Sequence, residues 1–303
     1  MLEIQCNICN SNNYQFLFHG RDRAIKIDNL LFDVVECNNC GLVYLNPQPT
    51  REELKKYYPE SYDQYGDSVA IFKFGPFSML IKNFLDRFKK KNSALNNRQP
   101  DLTEPEINYL DFGCGGGAHL EETRKKHPNW HLYGLDSIDV ACAKTMQKGF
   151  KVFCGDITEL NMPENFFDVV NMSHILEHLN DPKAALLKAN LILKKGGKLI
   201  ISLPNFDSLA AKFFGRYWHA LDVPRHLFFF TPKTLSFLLE QTGFSVQKIS
   251  YTQGPRVGIL SLYYLLGRKD MRINPVIWRI FKPISIVSAK FKKTSVMTIN
   301  AVK

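Results

Sequence analysis

The glycine-rich turn at residues 111–117, Asp-Phe-Gly-Cys-Gly-Gly-Gly, constrains the fold of this chain more than any other feature of its sequence. It follows an apolar segment over residues 107–111 that has the composition of a buried strand. Glycines allow the backbone to approach a ligand closely, and open α/β sheets bind their ligands at the carboxyl ends of the strands. The turn therefore predicts a ligand site at one edge of an α/β sheet, with Gly113, Gly115 and Gly117 next to the ligand.

Strand-like and helix-like segments alternate from about residue 106 to residue 303. After the first strand, further strands are predicted over residues 131–136, 151–154, 167–172, 198–203, 244–251 and 295–302. Asp181 and Pro182 form an N-cap and first-turn pair, and the glycines at 196–197 should end the helix that they begin. This alternation predicts an α/β fold for residues 101–303, a Rossmann-like sheet of seven strands with helices on both faces.

Two Cys-x-x-Cys pairs mark a separate unit over residues 1–48. Cys6 and Cys9 form the first pair and Cys37 and Cys40 the second, with candidate strands between them. Four thiolates on two short turns can close a tetrahedron around zinc, and four protein ligands leave no open position for chemistry. The pattern predicts a small zinc ribbon that depends on a structural zinc ion for folding. The alternative, a redox Cys-x-x-Cys motif, requires a thioredoxin-like setting that these residues lack.

The use of cysteine and the N-terminal residues indicate the compartment. Paired thiolate ligands suit a reducing environment, and the N-terminal residues lack the regions of a signal peptide. No apolar run reaches the length of a membrane-spanning helix, about 20 residues. We therefore expect a cytoplasmic protein. Cys114, Cys142 and Cys154 are expected to be small buried residues without a chemical role.

Residues 49–100 connect the two units and are predicted to form a helical linker. Thr50 and Glu53 have the spacing of a capping box at the start of a short helix. Apolar residues recur at helical spacing over residues 74–88, and a polar, basic run follows over residues 89–98. That run is the predicted boundary of the second domain.

Positive charge is concentrated near the C-terminal end of the chain. The net charge is +10, and residues 251–303 hold ten Lys or Arg against one Asp, which leaves +9 in that segment. Such a segment either faces phosphate or lipid headgroups or is a solvated basic surface. Its most apolar stretch, residues 257–266, lies between Arg256 and Arg268 and is a candidate for peripheral contact with a membrane surface.

Carboxylates at three strand ends distinguish between two cofactors. The turn at residues 113–118 also satisfies the dinucleotide-binding pattern. Asp111, however, would lie badly beside a pyrophosphate and suits the ammonium and sulfonium groups of S-adenosylmethionine. Asp136 can bind both ribose hydroxyls, and Asp156 with Ile157 can bind the adenine amine and cover the ring. The three strand ends therefore favour S-adenosylmethionine.

Taken together, these motifs resemble those of class I S-adenosylmethionine-dependent methyltransferases, in particular bacterial sugar and polysaccharide-pathway members with an N-terminal zinc ribbon. The resemblance covers nearly the whole chain and rests on the two cysteine pairs, the turn at 111–117 and the segments 40–49, 57–62, 174–178 and 222–227. It implies that the last strand runs antiparallel and that residues 251–294 are a basic insertion before it. It also implies cofactor contacts at Asp111, Gly113, Gly115, Asp136, Asp156 and Ile157, with Asn171 and His174 near the methionine end.

Methyl transfer needs an aligned acceptor and, for a hydroxyl acceptor, a base. His226 is the first candidate, because it follows the fifth strand and imidazole accepts protons near neutral pH, and His178 is the second. Each could instead order a loop through backbone hydrogen bonds. Arg225 suits a phosphate or carboxylate on the substrate. Zinc-containing sugar C-methyltransferases carry Tyr-His-Glu-His at a similar place, and the replacement of that glutamate by Arg225 argues against carbon methylation.

The sequence therefore predicts methyl transfer to a small-molecule acceptor, a hydroxyl of a nucleotide-linked or lipid-linked sugar that carries phosphate. Two alternatives stay open: an RNA methyltransferase that uses the ribbon and the basic segment as a platform, and a non-catalytic scaffold that binds the cofactor. Nucleic acid is the less favoured partner, because the ribbon is not strongly basic and lacks interleaved aromatic and basic residues. The carboxylates at the strand ends argue against the scaffold. Nothing in the sequence predicts the oligomeric state.

Overall fold

Two β-sheets organise the computed structural model of the protein, which describes residues 1–58, 106–252, 254–268 and 270–303. The strands are β1 Tyr14–Gly20, β2 Phe32–Cys37, β3 Val43–Leu45, β4 Asn108–Phe112, β5 His131–Asp136, β6 Lys151–Cys154, β7 Phe167–Ser173, β8 Leu193–Pro204, β9 Phe228–Phe229, β10 Ser245–Thr252 and β11 Val296–Val302. The helices are α1 Arg51–Lys55, α2 Ala118–Lys126, α3 Asp139–Gln147, α4 Pro182–Ile192, α5 Leu209–Phe214, α6 Pro232–Gln241, α7 Arg256–Leu265 and α8 Pro275–Lys290.

The larger sheet has the strand order β10-β11-β8-β7-β4-β5-β6. Strands β4 to β8 pair in parallel, whereas β11 runs antiparallel to both β8 and β10. This confirms the predicted seven-stranded Rossmann-like sheet and its antiparallel last strand. The strand order reverses at β4, since β5 and β6 lie on one side of it and β7 and β8 on the other. Open α/β sheets bind ligands at such a switch point.

Helix α4 ends earlier than the sequence predicted. Asp181 is its N-cap and accepts a backbone hydrogen bond from the first turn, as expected. The helix ends at Ile192, and the glycines at 196–197 lie inside strand β8 instead of ending the helix. Leu193 is fully buried and pairs with Phe167 of β7, so the backbone is already extended there. Burial of this leucine, rather than the glycine pair, therefore sets the end of the helix.

The smaller sheet joins the N-terminal residues to the larger domain. Strands β1, β2 and β3 are antiparallel, and β9 extends the sheet by pairing with β3. Strand β9 begins two residues after His226. The sequence predicts a separate unit over residues 1–48, but the sheet of these residues is completed by a strand from the larger domain. The N-terminal unit thus helps to fix the segment that carries His226.

The segment after the N-terminal unit is described only in part. The capping box is present, because the Thr50 side chain accepts a hydrogen bond from the N–H of Glu53 and the Glu53 carboxylate accepts one from the N–H of Thr50. It begins the short helix α1. The helix predicted over residues 74–88 and the basic run over residues 89–98 lie outside the described residues.

Residues 251–294, the predicted basic insertion, contain α7 and α8 between β10 and β11. The two helices share a small core in which Tyr263 and Ile259 of α7 pack with Trp278 and Phe281 of α8. Across the described ranges, no helix combines the length and the apolar character needed to cross a membrane.

Cys142 of α3 and Cys154 of β6 form a disulfide, with 6.0 Å between their Cα atoms. The sequence predicted that both would be small buried residues without a chemical role; instead they form this bond, and Cys154 is exposed, so the prediction is wrong for the pair and for the burial of Cys154. The bond has no local sequence signature, because it depends on how α3 packs against β6. Cys114 is buried, as expected.

Candidate active site

The glycine-rich turn leaves no room for a side chain at Gly113, next to the end of β4. Gly113 has a φ of +78°, and a Cβ atom there would lie 2.0 Å from Cδ1 of Ile175. Gly117 is the N-cap of α2 and has a φ of +79°. Gly115 lies between them, also at positive φ. The three glycines predicted to contact the cofactor therefore present bare backbone at the switch point of the sheet.

Asp111 and Asn171 meet at the ends of the neighbouring strands β4 and β7. The two residues are paired in the sheet, and Nδ2 of Asn171 donates a 2.9 Å hydrogen bond to Oδ1 of Asp111. Asp111 is only 3% exposed, and burial, supported by the negative charge of Asp136, raises its pKa. A buried carboxylate is costly to ionise unless a cation lies nearby, so this position suits a positively charged ligand.

Asp136 ends strand β5 and holds the glycine turn in place. Its Oδ2 accepts a 2.9 Å hydrogen bond from the N–H of Gly115, and its Oδ1 accepts one of 3.0 Å from the N–H of Ile138. Burial raises the pKa of this carboxyl as well. A carboxylate has about four lone-pair sites, so these two bonds leave acceptor capacity for hydroxyl groups.

Asp156 and Ile157 follow strand β6, the third strand end of the predicted cofactor site. Asp156 is ion-paired with Arg51 of α1, and its Oδ1 accepts hydrogen bonds from both the N–H and the hydroxyl of Thr158. The carboxylate is therefore already paired, which the sequence analysis did not foresee. Ile157 is 3% exposed and belongs to the main apolar core. Their contacts with adenine stay predictions.

His174 and Glu177 form an ion pair just beyond strand β7. The Nδ1–H group of His174 donates to Oε1 of Glu177 over 3.2 Å. Burial alone would lower the pKa of His174, but the hydrogen bond and the charge of Glu177 raise it. The second oxygen of Glu177, Oε2, is buried and has no hydrogen-bond partner among the described residues. His174 thus lies near the end of β7 that Asn171 joins to Asp111.

His178 and His226 lie edge to face, with 4.5 Å between ring centroids. The Nδ1–H group of His178 donates to the carbonyl oxygen of Arg225, and that of His226 donates to the carbonyl oxygen of Ala220, each over 3.0 Å. These bonds fix the tautomer, because a neutral imidazole that donates through Nδ1 keeps its lone pair on Nε2. Burial, followed by the charge of His226, lowers the pKa of His178 to about 4.

Glu177, His178 and His226 together form an acid–base cluster. One ligand atom from each residue lies within 4.8 Å of the others. Although burial would raise the pKa of Glu177, the hydrogen bond from His174 and the two nearby imidazoles lower it, so the carboxylate stays ionised. Such a cluster can hold a proton or a divalent cation. Glu177 was absent from the predicted site residues, although its position within the 174–178 motif was a signal.

Arg225 lies in a buried ion network and not on an exposed surface. Its side chain has no exposed area, and Nη2 lies 2.6 Å from Oδ1 of Asp222 and 3.0 Å from Oδ1 of Asp22. Nε donates a further bond to Asp222 over 3.0 Å. The predicted role, binding a phosphate or carboxylate of the substrate, does not fit this burial. Arg225 instead ties the loop after β1 to the segment that carries His226.

Cys6, Cys9, Cys37 and Cys40 offer four sulfur atoms that all lie within 4.8 Å of one another. The Sγ atoms of Cys6 and Cys40 are 3.4 Å apart, and those of Cys9 and Cys37 are 3.5 Å apart. Zn–S bonds of about 2.3 Å in a tetrahedron place the sulfur atoms about 3.8 Å apart, so the geometry suits a zinc ion. Burial raises the pKa of the Cys6 thiol to about 11, and a thiolate at this position would need a bound cation.

The strand order, the glycine turn at its switch point, the buried carboxylate on β4 and the half-buried one on β5 define a class I S-adenosylmethionine-dependent methyltransferase domain. Residues 82–249, more than half of the chain, match a family model described as a methyltransferase domain, and the chain belongs to this family.

Similar proteins come from both archaea and bacteria. An uncharacterised protein of Methanocaldococcus jannaschii is 31% identical over 52% of this chain and 64% of its own length. The ubiquinone biosynthesis O-methyltransferase of a Ruegeria species is 28% identical over 68% of this chain and 81% of its own. A solved S-adenosylmethionine-dependent methyltransferase from Archaeoglobus fulgidus has a TM-score of 0.46 and 22% identity, covering 74% of this chain and 94% of that one. The chain spans 40% to 64% of the length of three curated relatives, the Methanocaldococcus protein among them.

Proposed function

We propose that the chain transfers the methyl group of S-adenosylmethionine to a hydroxyl group of a small-molecule acceptor, with His226 as the base. The observation that carries this proposal is the pair of imidazoles at 178 and 226. Backbone carbonyls fix both tautomers and leave each Nε2 as a proton acceptor beside the ionised Glu177. His178 follows β7, which is next to β4, so the cluster lies near the end of the sheet where the glycine turn begins.

The proposed step conserves atoms and electrons. S-adenosylmethionine, when bound, supplies a methyl carbon whose bond to the positively charged sulfur breaks with the electron pair going to sulfur. The acceptor oxygen forms the new bond to that carbon, and its proton moves to Nε2 of His226. Because the methyl group is already activated, the protein mainly has to align the acceptor and accept one proton. His178, whose pKa burial lowers to about 4, is neutral at physiological pH, and its Nε2 is the weaker candidate base for the same proton.

The residues proposed to bind the cofactor lie at the switch point of the larger sheet. In this proposal the carboxylate of Asp111, oriented by Asn171, faces the cationic end of the cofactor, with His174 close by. Asp136 binds the ribose hydroxyls with its remaining lone pairs. The bare backbone of the glycine turn allows the ligand to approach both carboxylates closely.

The acceptor is proposed to be a nucleotide-linked or lipid-linked sugar that reacts at oxygen. Methylation of oxygen is supported by the name of the Ruegeria relative, an O-methyltransferase. It is also supported by Arg225, which stands where related sugar C-methyltransferases have a glutamate and which the structure buries in an ion network. The sugar class rests on the resemblance of the sequence motifs.

We also propose that the four N-terminal cysteines hold a structural zinc ion. The sulfur geometry supports four-coordination without an open position, so the metal would stabilise the smaller sheet and take no part in methyl transfer. Because β9 belongs to that sheet, the zinc unit would indirectly support the position of His226.

The test uses S-adenosylmethionine with a labelled methyl group, incubated with the full chain and a metabolite extract. The compound that gains the label is the acceptor. His226→Ala should lower turnover on that compound roughly 10²- to 10⁴-fold, the usual contribution of a general base. Binding of S-adenosylhomocysteine, followed by calorimetry, should not change.

His131→Ala is the matched control, because His131 is an exposed histidine at the start of β5. It should keep full turnover. Undiminished turnover in His226→Ala would remove the base assignment. Cofactor binding without any labelled product would support the non-catalytic scaffold, and loss of both would refute the proposed function.

A further inference from the structure

Three arginines line one shallow pocket beside the segment that carries His226, and its space of about 10 Å³ is that of a single water molecule, so a larger anion would lie at its mouth. Arg21 and Arg23 belong to the loop after β1, and Arg216 follows α5. Arg23 and Arg216 both lie over the ring of Tyr217, with 4.7 Å and 5.4 Å from guanidinium carbon to ring centroid. None of the three forms an ion pair with a carboxylate in the part of the chain that the structure describes.

The mutual repulsion of these charges is not relieved within the pocket. Arg23 is partly buried, and burial together with the positive charges of Arg21 and Arg216 lowers its pKa. Two carboxylates near this pocket, Asp22 and Asp222, are both bonded to Arg225, which offsets one of their two negative charges. Together with the three arginines the group still carries an excess of positive charge, which an anion would neutralise.

Trp218 lines the same pocket and adds a hydrogen-bond donor. Its side chain is 2% exposed, and its indole Nε1 is buried without a hydrogen-bond partner among the described residues. An indole N–H group can only donate, and a buried donor without a partner costs free energy. An oxygen atom of a bound ligand would satisfy it.

We propose that Arg21, Arg23, Arg216 and the indole N–H group of Trp218 bind the phosphate or diphosphate group of the acceptor. Guanidinium groups match phosphate oxygens in geometry and charge, and Trp218, which lines the same pocket, carries a donor without a partner among the described residues. The inference rests on the proposed function, because Asp222 and Val223, which precede His226, line the same pocket. A sugar diphosphate anchored here would extend its sugar toward His226. These arginines thereby take the role that the sequence analysis gave to Arg225.

Calorimetry with inorganic pyrophosphate tests this site directly. The full chain, saturated with S-adenosylhomocysteine, is titrated at low ionic strength. The parent should bind pyrophosphate saturably, and Arg23→Gln should weaken binding roughly tenfold or more, the usual effect of losing a hydrogen bond to a charged group. The double variant Arg21→Gln/Arg216→Gln should weaken it further. Arg279→Gln, an exposed arginine on α8, is the control and should bind like the parent.

The source of the diphosphate is distinguished by two further probes. Uridine diphosphate binding more tightly than pyrophosphate supports a nucleotide-linked acceptor, and farnesyl diphosphate binding more tightly supports a lipid-linked one. The proposal is overturned if pyrophosphate does not bind, if the pocket variants bind like the parent, or if Arg279→Gln is weakened equally. When S-adenosylhomocysteine binds and pyrophosphate does not, this inference fails alone. When neither binds, the proposed function fails as well.

A second inference concerns the outward face of helix α8. Residues at helical spacing form an apolar stripe, here called the outer stripe: Val276, Ile280, Ile284, Val287 and Phe291. Their exposed fractions are 59%, 58%, 52%, 49% and 70%. The opposite face of the helix packs against α7, so the outer stripe has no partner in the described structure. An exposed apolar stripe of this length is unusual unless it serves as an interaction surface.

The charges around the outer stripe indicate the kind of partner. Residues 271–303 contain no Asp or Glu, and Arg279, Lys282, Lys290 and Lys292 are exposed on or just after α8. A helix with an apolar face and flanking cations suits the interface of an anionic bilayer, where lipid headgroups neutralise the cations. We infer that the outer stripe lies in the headgroup region of such a membrane, with the helix parallel to the surface.

Sedimentation of the full chain with lipid vesicles tests this surface. The chain should bind vesicles of equal parts phosphatidylcholine and phosphatidylglycerol but not phosphatidylcholine alone, and high salt should weaken binding. Ile280→Gln/Ile284→Gln should lower the affinity at least about tenfold, because two apolar side chains no longer insert. Met146→Gln/Leu187→Gln, which changes exposed residues on α3 and α4, is the control and should bind like the parent.

Three outcomes would overturn the membrane assignment. The chain does not bind the anionic vesicles, or the control variant loses as much affinity as the stripe variant. Alternatively, sedimentation equilibrium shows a dimer that only the stripe variant loses, in which case the surface joins two copies of the chain.

Discussion

Substitution of Arg225 by glutamine would leave two carboxylates in the ion network without a counter-charge. The side chain of Asp22 has no exposed area and that of Asp222 is 20% exposed, so water can compensate little of the lost interaction. Removing one partner of a buried ion pair lowers the free energy of unfolding by about 3–5 kcal/mol. We therefore expect Arg225→Gln to lower the free energy of unfolding by about that amount. It should also reduce turnover, because Arg225 holds the segment that positions His226.

The assay is the urea midpoint of the full chain, read by circular dichroism, with Arg51→Gln as the control. Arg51 is 61% exposed and pairs with Asp156, and exposed ion pairs contribute at most about 1 kcal/mol. If Arg225→Gln loses less than about 1 kcal/mol, the two carboxylates are solvated or protonated at little cost, and Arg225 does not stabilise this part of the fold.

Three further predictions follow from the same structure. Cys37→Ser should abolish metal binding, because one of the four thiolate ligands is lost. Elemental analysis should find about one zinc ion per chain in the parent and none in the variant. A parent without zinc would contradict the proposed site. Gly113→Ala should abolish saturable binding of S-adenosylhomocysteine, because its Cβ would lie 2.0 Å from Cδ1 of Ile175 at a φ of +78°; unchanged calorimetry contradicts this. Burial, followed by a neighbouring imidazole, lowers the pKa of His178 from 6.5 to about 4. Between these pH values the unfolded chain binds a proton at His178 that the folded chain does not bind. The free energy of unfolding is therefore highest above pH 6.5 and decreases as the pH falls toward 4. His178→Gln should therefore make the urea midpoint less sensitive to pH in this range. A smaller dependence on pH should remain, because burial also lowers the pKa of His219 to about 4. If the urea midpoint of the variant depends on pH as steeply as that of the parent, this prediction is wrong.

The limits of several strands in the larger sheet could be predicted closely, because polar or glycine residues lie at both ends of their apolar runs. Strands β5 and β6 have the residue limits that the sequence predicted, since polar and glycine residues interrupt the apolar runs at both ends. The end of α4 could not be predicted, because burial of Leu193 outweighs the glycine pair that follows. Strand β9 is only two residues long and exists because it pairs with β3, which no local pattern indicates.

Within the candidate site, residues at strand ends could be predicted and contacts across the chain could not. Asp111 and Asn171 meet because parallel neighbouring strands end at the same edge of a sheet. Arg51 with Asp156, and Arg225 with Asp22, are joined only because the N-terminal unit packs against the larger domain. The two residues of each pair lie far apart along the chain, so no local sequence pattern indicates that they meet. For this reason the sequence indicated a substrate role for an arginine that the structure shows to be buried.

Cofactor binding at the ends of β4 and β5 is measured by calorimetric titration of S-adenosylmethionine into the parent chain and into Asp136→Ala. We expect one saturable site in the parent and an affinity roughly ten- to a hundredfold lower in the variant, because the hydrogen bonds from ribose to a carboxylate are lost. A parent that releases no heat, or a variant that binds as tightly as the parent, would contradict this expectation.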